Sequence, residues 1–383
     1  MASDDEKSAQ LTLEVLQSNH KFTNGIYKIL TADEDNDLIF SPISLQIALL
    51  MTFGGAHGKT AEEMKTSLNL SKEKEEVLQG TQILLGQLKN PNLKIASQIF
   101  IEQEYKIKST YEDLVKQYLE STFEAVDFKK SADKATNAIN SWVSEKTQKK
   151  ISEIIPPGTL NEFTRLVLVN AVHFKDDWLH KFSEHGTSEE PFYTTKDSHV
   201  NIPMMHISKK FRYLEDELFK VVEIRYKNQD FRLLILLPNE IDGLRKLEEK
   251  LLEIEFCKIF HNLETRTVNL TLPKMKLEKF TDMKSVLMKL GMETMFDERT
   301  ADFSEMYAKG EAPLYVSDVL HKAVLEVNEE GSEAAAATAV KVLMKRSLVI
   351  EREPVEFKAD HPFIFLITHQ DVILFIGRKT TGV

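Results

Sequence analysis

Apolar residues recur at helical spacing from Leu11 to Leu30, so the chain is expected to open in a helix. Ser41-Pro42 reads as a second helix start, with Ser41 as cap and Pro42 in the first turn. Ile43, Ile47, Leu50 and Met51 follow at the spacing of a buried stripe. Lys72 to Leu88 and Ala132 to Ile151 also fit helices, and Lys94 to Ile101 between them alternates like a strand. Further on the pattern changes. Arg165 to Val172 and Phe231 to Leu237 are nearly continuous apolar runs of strand length, which suits strands covered on both faces. Val268 to Leu277 alternates, and Phe280 to Leu290 returns to helical spacing. Phe363 to Ile367 and Ile373 to Ile376 read as two strands joined by a turn around His369-Gln370-Asp371. Helices first and strands later, without strict alternation, predict an α+β fold. No repeat, low-complexity tract or Pro/Gly/Ser-rich linker interrupts residues 1–383, so a single domain is expected.

Composition narrows the function classes. Lys and Arg number 49 against 60 Asp and Glu, a formal net charge of −11. That balance argues against a nucleic-acid partner. Apolar runs fall short of the roughly 20 residues a membrane helix needs. The lone Cys257 excludes a disulfide framework and a multi-cysteine zinc site. The eleven histidines fall at no metal-ligand spacing, so no metal is expected. Met1 to Gln10 is polar and acidic, unlike a signal peptide. Two N-glycosylation triplets begin at Asn69 and Asn269. With the single cysteine they favour an extracellular protein whose signal is already removed; a cytoplasmic protein is the alternative.

Gly54-Gly55-Ala56-His57-Gly58-Lys59-Thr60 imitates a phosphate loop. The first glycine of that motif would stand at position 53, which is Phe53, and a helix rather than a strand precedes it. A helix end followed by a new helix near Thr60 is the better reading, and a nucleotide-dependent enzyme is set aside. There is no Gly-x-Ser-x-Gly elbow for a hydrolase. Lys129-Lys130, Lys149-Lys150 and Lys209-Lys210 could gather into an anion-binding patch, although solvated faces explain them as well. His321, between apolar strand-like segments, reads on its own as a satisfied core histidine.

The segment from Glu329 to Val340 is unusual: Glu329, Glu330, Gly331, Ser332, Glu333, Ala334, Ala335, Ala336, Ala337, Thr338, Ala339, Val340. Propensity alone makes it a Ser-capped helix. It passes, however, into the β-prone Val340-Lys341-Val342-Leu343-Met344, then the dibasic Lys345-Arg346 and Ser347. Small residues, strand formers and a cleavable basic pair do not make an ordinary surface helix.

Here the chain resembles the serpin family over almost its whole length. The stretch Asn328 to Ala339 is similar to the family's proximal hinge. Phe40-Ser41-Pro42-Ile43-Ser44, Asn140-Ser141-Trp142-Val143, Asn170-Ala171-Val172-His173-Phe174-Lys175-Asp176-Asp177-Trp178, Leu272-Pro273-Lys274, Leu290-Gly291-Met292, Asp302-Phe303-Ser304 and Phe375-Ile376-Gly377-Arg378 follow in the family's order. The resemblance implies about nine helices, three sheets and an exposed reactive-centre loop over about 329–356. It implies a suicide-substrate inhibitor of serine proteases rather than an enzyme. The target attacks the loop, forms an acyl-enzyme, and is trapped as the cut loop enters the large sheet. The resemblance also assigns Ser41, Ser44, Asn170 and His321 to a polar cluster beneath the opening sheet. It puts Lys175 and Trp178 where the loop first enters.

Sequence chemistry is consistent with insertion. By family orientation Ser332, Ala334, Ala336, Thr338, Val340 and Val342 face inward, and none is charged; Glu333 and Lys341 face outward. Non-inhibitory serpins (carriers, chaperones, storage proteins) typically have bulky or charged residues there, so that alternative is second. Seventeen residues counted from Glu329 reach Lys345, giving the reactive bond Lys345–Arg346. Arg346–Ser347 is the alternative. Either basic residue implies a trypsin-like protease as the covalent partner. A monomer is expected. No cofactor is required; a heparin-like glycosaminoglycan would sit on the Lys72–Leu88 helix, which also holds acidic residues.

Overall fold

A computed structural model describes residues 4–382 except 33–34, 252, 254–255, 309–311 and 333–352. Within those residues lie nine α-helices and three sheets of nine, five and two strands, as expected of the α+β reading. The loop residues Glu333, Ala334, Ala335, Ala336, Ala337, Thr338, Lys345, Arg346 and Ser347 fall outside the described residues.

The helix Pro42–Gly55 forms the centre of the molecule. It was expected to bury a stripe; instead every one of its residues is buried. Its sequence is apolar nearly all round, Ser44, Gln46 and Thr52 excepted, which suits a helix enclosed on all sides. One face packs under the strands Leu93–Glu102 and Leu166–Phe174, another against Val372–Lys379. Gly54 and Gly55 end it because neighbours come close. A Cβ on Gly55 would stand 2.7 Å from the Met306 Cβ, and one on Gly54 2.9 Å from the Leu114 Cδ2. Helix Gly58–Ser67 follows directly, so these glycines pack helices and cradle no phosphate.

The five-stranded sheet runs in the order Met275–Asp282, Asp318–Val327, Leu166–Phe174, Leu93–Glu102, Phe123–Val126. Its middle pair, Asp318–Val327 and Leu166–Phe174, is parallel, in register from Asp318↔Val167 to Val324↔His173. All nine residues of Leu166–Phe174 are buried, Asn170 and His173 included, which suits a nearly continuous apolar run. The nine-stranded sheet contains the C-terminal hairpin Phe363–His369 and Val372–Lys379, turned at Gln370, whose φ is +50°. The 18-residue strand Ser198–Glu215 ties this sheet together, pairing with Ser188–Thr195, Phe219–Arg225 and Glu264–Pro273.

Several boundaries differ from the sequence reading. The expected helix Phe280–Leu290 begins only at Lys284, because Phe280 and Thr281 extend a strand opposite Lys322 and His321. Val268–Leu277 is two strands, parted at Lys274. The helix expected over Ala132–Ile151 begins at Ala132, after a kink at Ser131 that joins it to a first turn at Phe128, and ends early at Lys146. It stops where the Thr147 hydroxyl donates back to the Val143 carbonyl and accepts the Ile151 N–H. Gln148 and Lys149 then take positive φ. Ser41 holds the N-cap position of the central helix, but its hydroxyl makes no capping bond.

Candidate functional site

The site grows from the upper end of the parallel strand pair. Past Val327 the chain turns, and Gly331–Ser332 run antiparallel beside Asp176–Asp177, which prolong the line of Leu166–Phe174. An added strand continuing in that direction would lie between Leu166–Phe174 and Asp318–Val327. Only glycine fits at 331: a Cβ there would collide with the Asp176 carbonyl oxygen and sit 2.7 Å from the Asp177 Cα.

The turn before Gly331 is held by its neighbours. The Asn328 carboxamide oxygen accepts the Glu330 N–H at 3.0 Å and the Gly331 N–H at 3.3 Å. The Trp178 indole N–H donates to the Asn328 carbonyl and its backbone N–H to the Glu330 carbonyl, both at 2.8 Å. Phe182 N–H donates to the Glu329 carbonyl at 3.0 Å. Trp178 is buried and stacks on Tyr226, ring centroids 4.4 Å apart. The Tyr226 hydroxyl meets the Ser332 hydroxyl at 2.7 Å. Burial raises the Tyr226 pKa, so it stays a neutral hydroxyl.

Two lysines hold the two glutamates. Glu329 is buried, pairs with the Lys274 ammonium at 2.9 Å and accepts the Thr187 hydroxyl at 2.8 Å. Burial alone would raise its pKa, but the bonds from Lys274 and Thr187 outweigh that and hold it below the usual glutamate value. Glu330 pairs with Lys181, which also lies 3.4 Å from the Asp177 carboxylate. Lys175 is exposed, with its backbone N–H on the Asn92 carbonyl at 2.8 Å. The ammonium groups that meet the hinge therefore belong to Lys181 and Lys274.

Lower in the same strand pair, Ser41, Ser44, Asn170 and His321 come together, all fully buried. The His321 Nδ1 is 2.6 Å from the Asn170 Oδ1, and its Nε2 accepts the Ser41 backbone N–H at 3.0 Å. An accepting Nε2 places the proton on Nδ1, which donates to Asn170. Burial lowers the His321 pKa to about 3, in keeping with a neutral ring. The Asn170 amide nitrogen donates to the Ser44 hydroxyl and, at 2.6 Å, to the Ser97 hydroxyl. One polar network thus joins the central helix to three strands of the sheet.

The sequence reading missed Tyr226, Lys181, Lys274, Thr187 and Ser97. Their spacing from the hinge or cluster carries no periodic signal. The carbohydrate candidates differ. Asn69 is exposed at φ +56°, its amide nitrogen donating only to the Ser67 carbonyl two residues back at 3.3 Å. Asn269 is committed: its amide nitrogen donates to Glu356 at 2.6 Å and its oxygen accepts the Ser208 hydroxyl at 2.7 Å. The pairs Lys129-Lys130 and Lys149-Lys150 do not gather, since the regular helix from Ala132 to Lys146, about 21 Å long at 1.5 Å per residue, stands between them. Among the described residues no group of three His, Cys, Asp or Glu could hold a metal, and no helix is long and apolar enough to cross a membrane.

The family model described as serpin (serine protease inhibitor) matches residues 17–381. Serpin B3 of Homo sapiens is 39% identical over 388 residues, covering 94% of this chain and 98% of the relative. The leukocyte elastase inhibitor of Xenopus laevis is 37% identical over 367 residues, covering 92% and 95%. Among solved structures, Serpin48 of the insect Tenebrio molitor superposes with a TM-score of 0.87 at 33% identity, covering 96% of this chain and 98% of its own.

Proposed function

The chain belongs to the serpin family, and from that premise we propose that it is a suicide-substrate inhibitor of trypsin-like serine proteases. One observation carries the reading. Gly331–Ser332 are already paired onto Asp176–Asp177 at the open end of a closed parallel pair, and the residues that follow in sequence are small. That pairing supports a strand addition that continues from Ser332 once the loop is cut.

In the proposed reaction the protease serine oxygen attacks the Lys345 carbonyl carbon. The tetrahedral intermediate collapses by expelling the Arg346 amine, leaving the Lys345 acyl ester. Chain 331–345 is then tethered only at the hinge and adds to the sheet between Leu166–Phe174 and Asp318–Val327. The two strands must part, which breaks the His321–Asn170 bond. Inward positions Ala334, Ala336 and Thr338 can enter a packed sheet without burying charge. The protease is carried along, its catalytic residues are displaced, and hydrolysis of the ester stalls. The protein is thus consumed as a substrate and does not turn over as an enzyme.

Specificity rests on Lys345, with Arg346 as the alternative. The name of the leukocyte elastase inhibitor points that relative at an elastase, whose specificity pocket is small. A long cation at the reactive bond fits an acidic pocket instead. We place the protein in the cytoplasm rather than outside the cell, on its similarity to the Serpin B relatives. No cofactor is required, the protein acts as a monomer, and the helix Lys74–Leu88 is a poor polyanion site. Its one lysine, Lys74, pairs with Glu305.

The reading is tested by progress curves with trypsin, chymotrypsin and elastase, followed by the mass of the released C-terminal peptide. Fast inhibition of trypsin with a peptide beginning at Arg346 supports it. Inhibition of elastase or chymotrypsin alone overturns the specificity, and cleavage without inhibition by any of them favours the non-inhibitory alternative.

A further inference from the structure

The hinge pairing also fixes where an inserted loop would end. Gly331–Ser332 lie antiparallel to Asp176–Asp177, with Ser332 opposite Asp176. In an antiparallel ladder each step forward on one strand is one step back on the other. Continued without a slip, this register sets Ala334 opposite Phe174, Ala336 opposite Val172, Thr338 opposite Asn170 and Val342 opposite Leu166. Those four strand residues all face the central helix. Val172 and Phe174 share a core with Ile43 and Ile47, Leu166 shares one with Leu45 and Leu49, and Asn170 bonds Ser44. Residues opposite each other share a face, so the register reproduces the inward set Ala334, Ala336, Thr338 and Val342. The ladder runs out at Leu166, where the strand begins. Thirteen residues on from Ser332 stands Lys345, and thirteen back from Asp176 stands Phe163. A cut and inserted loop thus delivers the Lys345 ester to the lower end of the sheet, beside Phe163, about 44 Å from the hinge at strand spacing.

Phe163 is the most exposed large apolar side chain among the described residues, at 66%. A lone exposed apolar side chain is ordinary. This one stands on a braced turn. The Phe163 N–H donates to the Asn161 Oδ1 at 2.8 Å, the Thr164 N–H to the Asn161 carbonyl at 3.0 Å, and the Tyr315 hydroxyl to the Phe163 carbonyl at 2.8 Å. Arg165 Nη1 donates to the carbonyls of Glu162 and Thr164. The Tyr105 hydroxyl donates to the carbonyl of Pro313, two residues before Tyr315, at 2.8 Å. Tyr307 meets the Tyr105 ring edge-on, centroids 5.6 Å apart. Tyr105, Tyr307 and Tyr315 are all part-exposed. Aromatic side chains held in place before a partner arrives are the kind that anchor protein interfaces.

We propose that Phe163, with the neighbouring Tyr315, Tyr105 and Tyr307, is the surface on which the acylated trypsin-like protease comes to rest. The register names the occupant: the enzyme is esterified to Lys345, and Lys345 ends beside Phe163. To free itself the protease must reassemble its catalytic residues. Water then attacks the Lys345 acyl carbon, the serine oxygen leaves with a proton, and Lys345 is left as a carboxylate. Contact with the aromatic patch favours the displaced enzyme over the reassembled one and so lengthens the life of the trap. The docking surface rests on the inhibitory reading, because only an inserted loop brings the protease there. It makes this end of the sheet, and not the loop alone, a determinant of how long inhibition lasts.

The test isolates the complexes that trypsin forms with the parent and with Phe163→Ser, and follows the return of trypsin activity from each. Phe163 is exposed, so the variant should fold and should inhibit at the parent's second-order rate. Its complex should release active trypsin roughly tenfold faster, the effect of losing one buried aromatic contact. Tyr315→Phe frees the Phe163 carbonyl but keeps the ring, and should accelerate release less. Leu13→Ser removes another exposed apolar side chain, on the helix Asp4–Leu30, and should leave release unchanged. The docking surface is overturned if the Phe163→Ser and parent complexes decay alike, or if Leu13→Ser releases trypsin as fast as Phe163→Ser. A parent that forms no complex overturns the inhibitory reading itself, and the docking surface falls with it.

Discussion

His321 and Asn170 face each other in register across the two parallel strands, and their side chains bond at 2.6 Å. A strand can be added at this place only by breaking that bond. The closed sheet is thus locked by a polar contact in an apolar setting, where an unmade hydrogen bond is costly. Asn170→Ala should leave the His321 Nδ1–H without its acceptor and cost about 1–3 kcal/mol. The expected outcome is faster loss of inhibitory activity on mild heating, with conversion to an inactive inserted or aggregated form. Heating curves that superpose on the parent would show that this bond does not guard the sheet.

Acid should weaken the same lock. His321 is neutral with a pKa near 3 in the fold, against about 6.5 in an unfolded chain. His173, lowered to about 4 first by burial and then by Lys150, Lys175 and Lys94, acts in the same direction. Below pH 6.5 the unfolded chain takes up protons that the fold refuses. Stability is therefore fully present above that pH and falls until the folded pKa of each ring, about 3 for His321 and about 4 for His173, by up to about 1.4 kcal/mol per pH unit for each histidine. Unfolding rates in denaturant at pH 7, 6 and 5 should rise accordingly. His321→Gln should unfold faster at pH 7 but show a shallower pH dependence; an unaltered dependence would assign the effect elsewhere.

Glu329 is the buried partner of the partly exposed Lys274. Glu329→Lys places two cations together at the mouth of the sheet. Solvent at Lys274 moderates the penalty, so a loss of about 1–3 kcal/mol is expected. It should appear as a lower thermal midpoint and a greater tendency to self-associate. Adding Lys274→Glu should restore part of the loss, whereas a merely steric defect would not respond to the swap.

Ala336 should face inward once the loop is cut. Ala336→Glu would bury a charge during insertion, at a cost of several kcal/mol. The variant should be cleaved by trypsin at the parent rate yet form little stable complex. A stoichiometry equal to the parent's would refute the assigned orientation.

Much of this arrangement could be read from the residues. The buried character of Leu166–Phe174 was legible in its nearly continuous apolar run, whereas the stripe read in Pro42–Gly55 understated a helix buried on all sides, Ser44, Gln46 and Thr52 included. Ser41, Ser44, Asn170 and His321 were placed together only by the resemblance, since their contacts span up to 280 positions. Lys274, Thr187 and Tyr226 stayed hidden for the same reason: tertiary pairing, not local pattern, selects them. Phe280 and Thr281 looked helical because their spacing suits both periods, and pairing with Lys322 and His321 decided for the strand. The resemblance put Lys175 beside Trp178 where the loop first enters; the ammonium groups bonded to Glu329 and Glu330 belong to Lys274 and Lys181.

The central claim is that the loop traps a trypsin-like protease covalently. Equal amounts of the protein and trypsin, run together on a denaturing gel, test it most directly. The account predicts a new band at the summed mass, less the released C-terminal peptide, that survives denaturant. Full conversion of the protein to its cleaved form, with all the trypsin running free, would contradict it.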